Sequence, residues 1–544
     1  MKVCTLTAIL VTLGWPSVAA PGPPPMPPPD ASELERIFAT PPGSLSFGGT
    51  GGGRLERGEE IPLSGRGWAF IPVVRARHTN HGTREMAGLL RRVAARVADA
   101  HPGARLGIGN VSLPTGGRSR WHASHQAGRD VDILMFARDR RDRATNPTRF
   151  LGFDADGRSR DGRYRFDVER NLTLVEALVT DPQVGVQWIF VSDGLKALLL
   201  EAATARGLPA ATVERLGEVL HQPTDALPHD DHFHVRLYCS PEDRRYGCLD
   251  FAPFWPWVER GDEAFSARVA TLLRVLEVPD EQVRLRGIRA LADLRAIDAV
   301  PSLVSALYDD SEPVREASLR AIRVIGSPSA LGGLLDALGR TDDPAWAARL
   351  FSAAVTLPTD AVLEVARTYL KTPARYLSDP VAKADPTPLL TATARVLGRY
   401  GRPEVVPELL ELLTAPRAET REAARDALIS VTNRAPDAPS PSTARKAERA
   451  RAVWTRLWDR HKAASWHEWL RGGFEAAGYR LRGSLSDPRS IEVLIEATGD
   501  SRSYISENAV RLLSEVTGHA VDPRSRPPSR QQRHWRYWWE HNAP

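Results

Sequence analysis

The chain has 544 residues, 42% of them hydrophobic and 26% charged, which excludes disorder throughout and a polytopic membrane protein. Lys and Arg exceed Asp and Glu by only 72 to 67, with both signs mixed along the length, so no basic groove for nucleic acid is indicated. At about 150 residues per domain, the length predicts three or four domain-sized units.

Residues 1–20 read MKVCTLTAILVTLGWPSVAA. A positive Lys2, an apolar run from Val3 to Trp15 and the small residues Ser17 and Ala19 have the layout of a secretory signal peptide. The run is too short to span a bilayer of about 30 Å. Cleavage is expected after Ala19, so Cys4 leaves with the peptide, and the mature chain is expected to be secreted or periplasmic with no membrane span. That leaves Cys239 and Cys248. An even count in an exported chain fits one disulfide. The alternative, a pair of metal-binding thiols, is opposed by their spacing and by the lack of a further Cys nearby.

Pro21 to Pro29 form a stiff, polyproline-like spacer within a Pro/Gly-rich linker expected over residues 20–44. Residues 30 to about 60, with Gly48-Gly49 and Gly51 to Gly53, are expected to be loop-rich, and from about 61 to 257 the pattern mixes helix and strand, within a domain expected over 45–258. Thr83 to Ala100 carries Leu, Val and Ala at helical spacing, and Val131–Phe136, Gln187–Ser192 and Phe233–Tyr238 are apolar runs of strand length.

A different texture begins at residue 262. VRLRGIRALADL from Val283 and VREASLRAIRVI from Val314 stand 31 residues apart. Ile288 matches Leu319, Leu291 matches Ile322 and Leu294 matches Ile325; the following Leu303 and Leu307 match Leu334 and Leu338. Each unit is a pair of amphipathic helices that cannot bury its apolar stripe alone, so neighbours must stack into a solenoid. The segment resembles HEAT-like helical repeats, expected over residues 262–434. A Pro/Ser-rich break at 435–442 opens a Trp-rich insertion and a further helical repeat over 435–544. Trp454, Trp458, Trp466 and Trp469, then Trp535, Trp538 and Trp539, read as capping helices packed on repeats in preference to an aromatic ligand platform.

Nine of the fourteen His lie between His78 and His234, and none between 235 and 460. Two clusters stand out, WHASHQAGRDVD over 121–132 and HDDHFHVRL over 229–237. In the second, His232 and His234 alternate with Phe233 and Val235, so the imidazoles share one strand face and the apolar side chains enter a core. In the first, Gly128 permits a tight turn into a strand on which Asp130 and Asp132 share a face. Two imidazoles and a carboxylate converging on one point make a three-ligand Zn²⁺ site with a fourth position for water, whereas a buried imidazole pair beside carboxylates with no metal is costly. Ser124 beside His125 is not a catalytic dyad, since adjacent residues of an extended chain face apart. Arg129 and Arg236 are read as substrate-carboxylate ligands or salt-bridge partners, Asp167 as a helix cap, and Asn171 as a residue of the cleft wall.

These phrases resemble the penicillin-insensitive murein endopeptidase family, within the group of lysostaphin-type and D-Ala-D-Ala metallopeptidases. His125 to Asp132 has that group's H-x6-D spacing, His232-Phe233-His234 supplies its H-x-H, and HASHQAGRDVDI at 122–133 is close to the family's own signature. The resemblance covers residues 45 to 250 and implies an α+β zinc-peptidase domain followed by an all-α HEAT-like solenoid. It implies Zn²⁺ ligands His125, Asp132 and His234, with His232 and His229 as catalytic imidazoles. His122 stands where the family places a second-metal ligand, without confident matches for that ion's remaining ligands. The implied activity is hydrolysis of D-Ala–diaminopimelate cross-links in peptidoglycan stem peptides by zinc-activated water. A D-Ala carboxypeptidase is a variant of the same chemistry, and a non-catalytic peptidoglycan-binding or HEAT scaffold protein is the alternative. The solenoid is expected to hold a protein partner.

Overall fold

The computed structural model describes residues 26–542. The expected signal peptide over residues 1–19, with Cys4, and the first part of the Pro-rich spacer lie outside the described residues. The N-terminal domain is built on a seven-stranded mixed sheet. In chain order its strands are β1 (Ser64–Gly65), β2 (Trp68–Phe70), β3 (Leu106–Ile108), β4 (Asp130–Leu134), β5 (Val186–Phe190), β6 (Leu220–His221) and β7 (His232–Leu237). Across the sheet the order is β6-β5-β7-β4-β3-β2-β1. The pairs β5–β6 and β2–β3 are parallel and the rest antiparallel.

The strands at the centre explain why two distant sequence clusters meet. In β4–β7 the register sets His232 opposite Leu134, His234 opposite Asp132 and Arg236 opposite Asp130. Directly opposed residues share a face, so Asp130, Asp132, His232, His234 and Arg236 line one side of the sheet. Val131, Ile133, Phe233 and Val235 occupy the other, where all four are fully buried. Helices α1 (Arg84–Ala100), α2 (Val168–Val179), α3 (Asp193–Ala205) and α4 (Ala210–Val219) complete this core. Helix α1 is started by Thr83, whose Oγ1 accepts from Met86 N at 3.2 Å, and buries Met86, Leu89, Leu90, Val93 and Val97 along one stripe.

The three expected strands are all present, each one or two residues earlier than the apolar runs suggest. Strand β4 stops at Leu134 because the Asn171 side chain takes both backbone groups of Phe136, at 2.9 Å each. Strand β5 stops at Phe190 because Ser192 becomes the N-cap residue of α3. Cys239 and Cys248 form a disulfide with a Cα–Cα distance of 5.9 Å.

From Asp262 onward the chain is helical. Helices α5 (Glu281–Asp293) and α6 (Glu312–Ile325) carry the two phrases spaced by 31 residues. Their matched positions Ile288/Leu319 and Leu291/Ile322 are buried in one shared core with Leu303, Leu307, Leu334 and Leu338. The repeat extends to the caps. Asp280 accepts from Val283 N at 2.9 Å and Ser311 from Val314 N at 3.3 Å. Residues 31–37, within the expected linker, form a short helix instead. Asp30 caps it, Glu33 pairs with Arg274 at 2.6 Å, and Ile37 enters the repeat core.

The helical region closes with α7 (Pro528–Asn542). Trp454, Trp469 and Trp535 are among the largest fully buried side chains, which fits packing and leaves no aromatic platform at those three positions. Helix α7 also touches the N-terminal domain: His534 Nδ1 lies 2.7 Å from Thr224 Oγ1, and Tyr537 Oη donates to Asp193 Oδ2 at 2.9 Å. The chain therefore returns to its first domain. Among the described residues, no helix is long and apolar enough to cross a membrane.

Candidate active site

The first cluster is shaped by a turn that the sequence encodes in two residues. Gly128 has φ 72, and a Cβ there would lie 2.9 Å from Leu55 Cδ1 and 3.1 Å from Thr83 N, so only Gly fits. His125 also sits in the left-handed region, at φ 64. It is held there by its own backbone N–H, which donates to Asp130 Oδ2 at 2.9 Å. Non-Gly residues in that region store strain that the surroundings must offset.

His125, Asp132 and His234 come together. Asp132 Oδ1 lies 3.2 Å from His125 Nε2 and 3.6 Å from His234 Nδ1, and the rings of His125 and His234 stand 4.6 Å apart, edge to face. All three residues are buried. His125 Nδ1 lies 2.7 Å from the Val111 carbonyl. A carbonyl only accepts, so Nδ1 carries the proton and the Nε2 lone pair points at Asp132. On His234 the other nitrogen, Nε2, faces Asp130 Oδ1 at 3.3 Å. Asp130 in turn accepts from Arg236 Nε at 2.8 Å.

Despite these short distances, His125 Nε2, Asp132 Oδ1 and His234 Nε2 are buried with no hydrogen-bond partner among the described residues. Leaving such atoms unpaired costs about 1–3 kcal/mol each. A cation bound between the imidazoles and the carboxylate satisfies His125 Nε2 and Asp132 Oδ1. The donor set therefore fits a divalent metal of the nitrogen- and oxygen-binding kind. Two triads have ligand atoms all within 4.8 Å of one another: His122, His125 and Asp132, and His229, His232 and His234.

His232 stands beside this group. Its Nδ1 lies 2.6 Å from Asp231 Oδ1 and its Nε2 lies 3.4 Å from Asp132 Oδ1. Burial pushes its pKa down, but the two carboxylates outweigh that and raise it to about 10. Burial likewise works against charge on Asp132, yet His125 and His232 hold its pKa well below the usual carboxylate range. His125 is raised because Asp132 overcomes its burial, whereas burial lowers His234. His229 and His122 are pushed down, chiefly by burial, to about 3 and about 4, so both are neutral at pH 7. His229 packs on Phe190 and His232 at 5.6 and 5.4 Å, and its Nδ1 has no partner. His122 Nε2 lies 2.7 Å from Asn110 Nδ2 and 3.8 Å from Asp132 Oδ2.

Arg129 is buried and binds Asp250 at 3.0 Å and the Leu237 carbonyl at 2.8 Å, away from any cleft. Arg236 both borders the cleft and pairs with Asp130. Asp167 caps α2, accepting from Arg170 N at 3.2 Å. Asn171, expected in the cleft wall, is instead fully buried on Phe136, because its amide is the partner that the end of β4 needs.

A cleft of about 890 Å³ opens in front of His122, His229, His232 and His234. Trp121, Phe190, Leu227 and Phe251 supply apolar wall, and Ser525, Arg530 and Arg533 close one side. Those last three lie about 300 residues beyond the second His cluster and about 400 beyond the first. No local motif marks them, and sequence reasoning missed them.

Residues 46–262 match the family described as penicillin-insensitive murein endopeptidase, and residues 269–353 match HEAT repeats. The chain is 30% identical over 223 residues to the penicillin-insensitive murein endopeptidase of Haemophilus influenzae, covering 38% of this chain and 68% of the relative. It is 27% identical over 218 residues to the protein of that name from Escherichia coli O157:H7, covering 39% and 73%. A solved structure of human deoxyhypusine hydroxylase with glycerol aligns at 19% identity over 52% of this chain and 99% of that one. Its TM-score of 0.24 carries no weight for the fold.

Proposed function

The chain belongs to the penicillin-insensitive murein endopeptidase family, and from that premise we propose that it is a secreted or periplasmic zinc peptidase. Its substrate on this reading is the D-Ala–diaminopimelate type of cross-link in peptidoglycan. The observation that carries the reading is Asp132 Oδ1: three imidazole nitrogens lie within 3.6 Å of it and it accepts no hydrogen bond. His125, Asp132 and His234 are the proposed ligands, with no second ion assigned to His122. When bound, zinc supplies a Lewis acid that polarises the scissile carbonyl and lowers the pKa of a water molecule.

The chain's own residues then have distinct tasks. Val111 fixes the tautomer of His125, and Asp130 anchors the His125 backbone while its other oxygen faces His234 Nε2. His232 is the proposed proton donor to the leaving amine. Asp231 holds one of its nitrogens, leaving the other toward Asp132 and the cleft. With Asp132 committed to a cation, His232 loses part of its carboxylate support. Its pKa then moves back toward neutrality, where an imidazole both holds and releases a proton. His229, neutral and with a free Nδ1, is the proposed acceptor or donor for the substrate peptide. The catalytic unit on this reading spans residues 45–258, followed by helical units over 262–434 and 435–544, the HEAT-like part being a surface for a protein partner.

The test uses the full chain and cross-linked muropeptide dimers, with product masses read with and without a zinc chelator. Monomers formed only without chelator are the expected result. Release of terminal D-Ala alone would assign a carboxypeptidase, and no product from the zinc-loaded chain would remove the peptidase reading.

A further inference from the structure

The cleft is walled by both ends of the chain, and the C-terminal wall is basic. Arg530 and Arg533 lie one turn apart near the start of α7 and are both part-exposed. The helix is fixed from behind: Gln531, His534 and Trp535 are its buried residues, and Trp535 joins the core of Leu494, Ile505 and Leu513. It is fixed from the side by Thr224, by Asp193 and by the Arg526–Asp225 ion pair at 3.3 Å. The two arginines therefore border the cleft on a docked helix and not on a loose tail.

Neither arginine has a carboxylate partner among the described residues. Arg533 Nε reaches only the backbone carbonyl of Asp225, at 3.4 Å, and the Arg530 guanidinium makes no hydrogen bond among the described residues. The acidic residues bordering the same cleft are already engaged, Asp225 by Arg526 and Asp231 by His232. Arg236, the other arginine of the cleft, is held by Asp130. Two guanidinium forks are thus left without counter-charge in a site where an extended peptide would lie. Guanidinium matches carboxylate geometry, and such charge-assisted pairs are the stronger class of hydrogen bond.

We propose that Arg530 and Arg533 form a carboxylate-binding subsite for the peptide substrate, so that the C-terminal helix completes the site of the N-terminal domain. This rests on the peptidase reading given above. Diaminopimelate keeps a free carboxylate in the cross-link unless it is amidated, which gives the subsite a ligand of the right charge and a matched neutral control.

The experiment measures calorimetric affinity of the full chain, under chelator to prevent turnover, for a disaccharide tetrapeptide. The same muropeptide with amidated diaminopimelate is the comparison. Wild type is expected to bind the acid about tenfold more tightly. The Arg530→Gln/Arg533→Gln variant is expected to lose that preference. Arg530→Lys/Arg533→Lys keeps part of it, since charge survives without the fork. Equal affinities in wild type, or an unchanged preference in the Gln variant, would overturn the subsite. If the preference is present and lost as expected while the zinc-loaded chain cuts no dimer, the peptidase reading fails and the subsite stands.

Discussion

The backbone N–H of His125 donates to Asp130 Oδ2 at 2.9 Å, while the other oxygen of Asp130 faces His234 Nε2 at 3.3 Å. One carboxylate thus holds the left-handed turn that carries one proposed ligand and lies against the ring of a second. It is fully buried and held charged: burial opposes ionisation, but Arg236 and His234 keep its pKa well below the usual range.

Replacing Asp130 by Ala should therefore weaken metal binding without removing a ligand. The expected loss is about 10–100-fold in zinc affinity, read by competition with a chromophoric chelator. Arg236 also loses its partner, so a fall in melting temperature is expected. Unchanged zinc affinity would mean that His125 and His234 hold their positions without Asp130.

Removal of Asp132 tests the centre itself. Wild type should melt at a higher temperature with zinc than with chelator, because a ligand that binds only the folded state stabilises it by mass action. Asp132→Ala should abolish both that zinc-dependent rise and dimer cleavage. A preserved rise in Asp132→Ala would shift the metal to the triad of His229, His232 and His234.

The metal-site candidates were legible because their chemistry is local. Alternation along His232–His234 is fixed by strand geometry, the antiparallel register sets Asp132 opposite His234, and the turn signalled by Gly128 brings His125 back to Asp132. The repeat was legible for the same reason, since Ile288 and Leu319 recur at one helical phase. Asn171 was misjudged because a polar residue on a helix gives no sign of which backbone it serves; here it ends β4. The short helix at 31–37 was hidden because what stabilises it, Arg274 and the repeat core, lies about 240 residues away. Arg530 and Arg533 reach the cleft only because α7 docks on Thr224 and Asp193, a tertiary fact with no periodic signature.

The disulfide supports the region just after β7. Cys239 and Cys248 stand nine positions apart, and Arg129 binds Asp250 just beyond. Closing so short a loop lowers the entropy of the unfolded chain by about 2–3 kcal/mol at 25 °C. Cys239→Ala/Cys248→Ala should lose about that much stability in urea. Wild type in reductant should match the variant, and a variant as stable as the oxidised protein would show that the loop is held by its other contacts.

Asp243 gives a pH dependence whose sign is fixed by burial. It is 2% exposed and its Oδ1 accepts from Ser46 N at 3.0 Å. Desolvation, with help from the nearby Glu85 charge and against Arg129 and the Ser46 and Ser240 hydrogen bonds, pushes its pKa from 3.8 up to about 6. A raised carboxyl pKa means the folded chain binds the proton more tightly than the unfolded chain does. Its contribution is full below about pH 4 and is lost as pH rises through about 6. Above that the native state carries a buried charge costing up to about 3 kcal/mol. Asp243→Asn keeps an oxygen for Ser46 N and removes the charge. The variant should be stabler than wild type by about 1–3 kcal/mol at pH 7.5, with the gain shrinking to about a third of that at pH 4.5. Paired urea melts at the two pH values check this, because groups titrating alike in both proteins cancel in the difference. A gain of the same size at both pH values would assign the effect to packing and not to the charge.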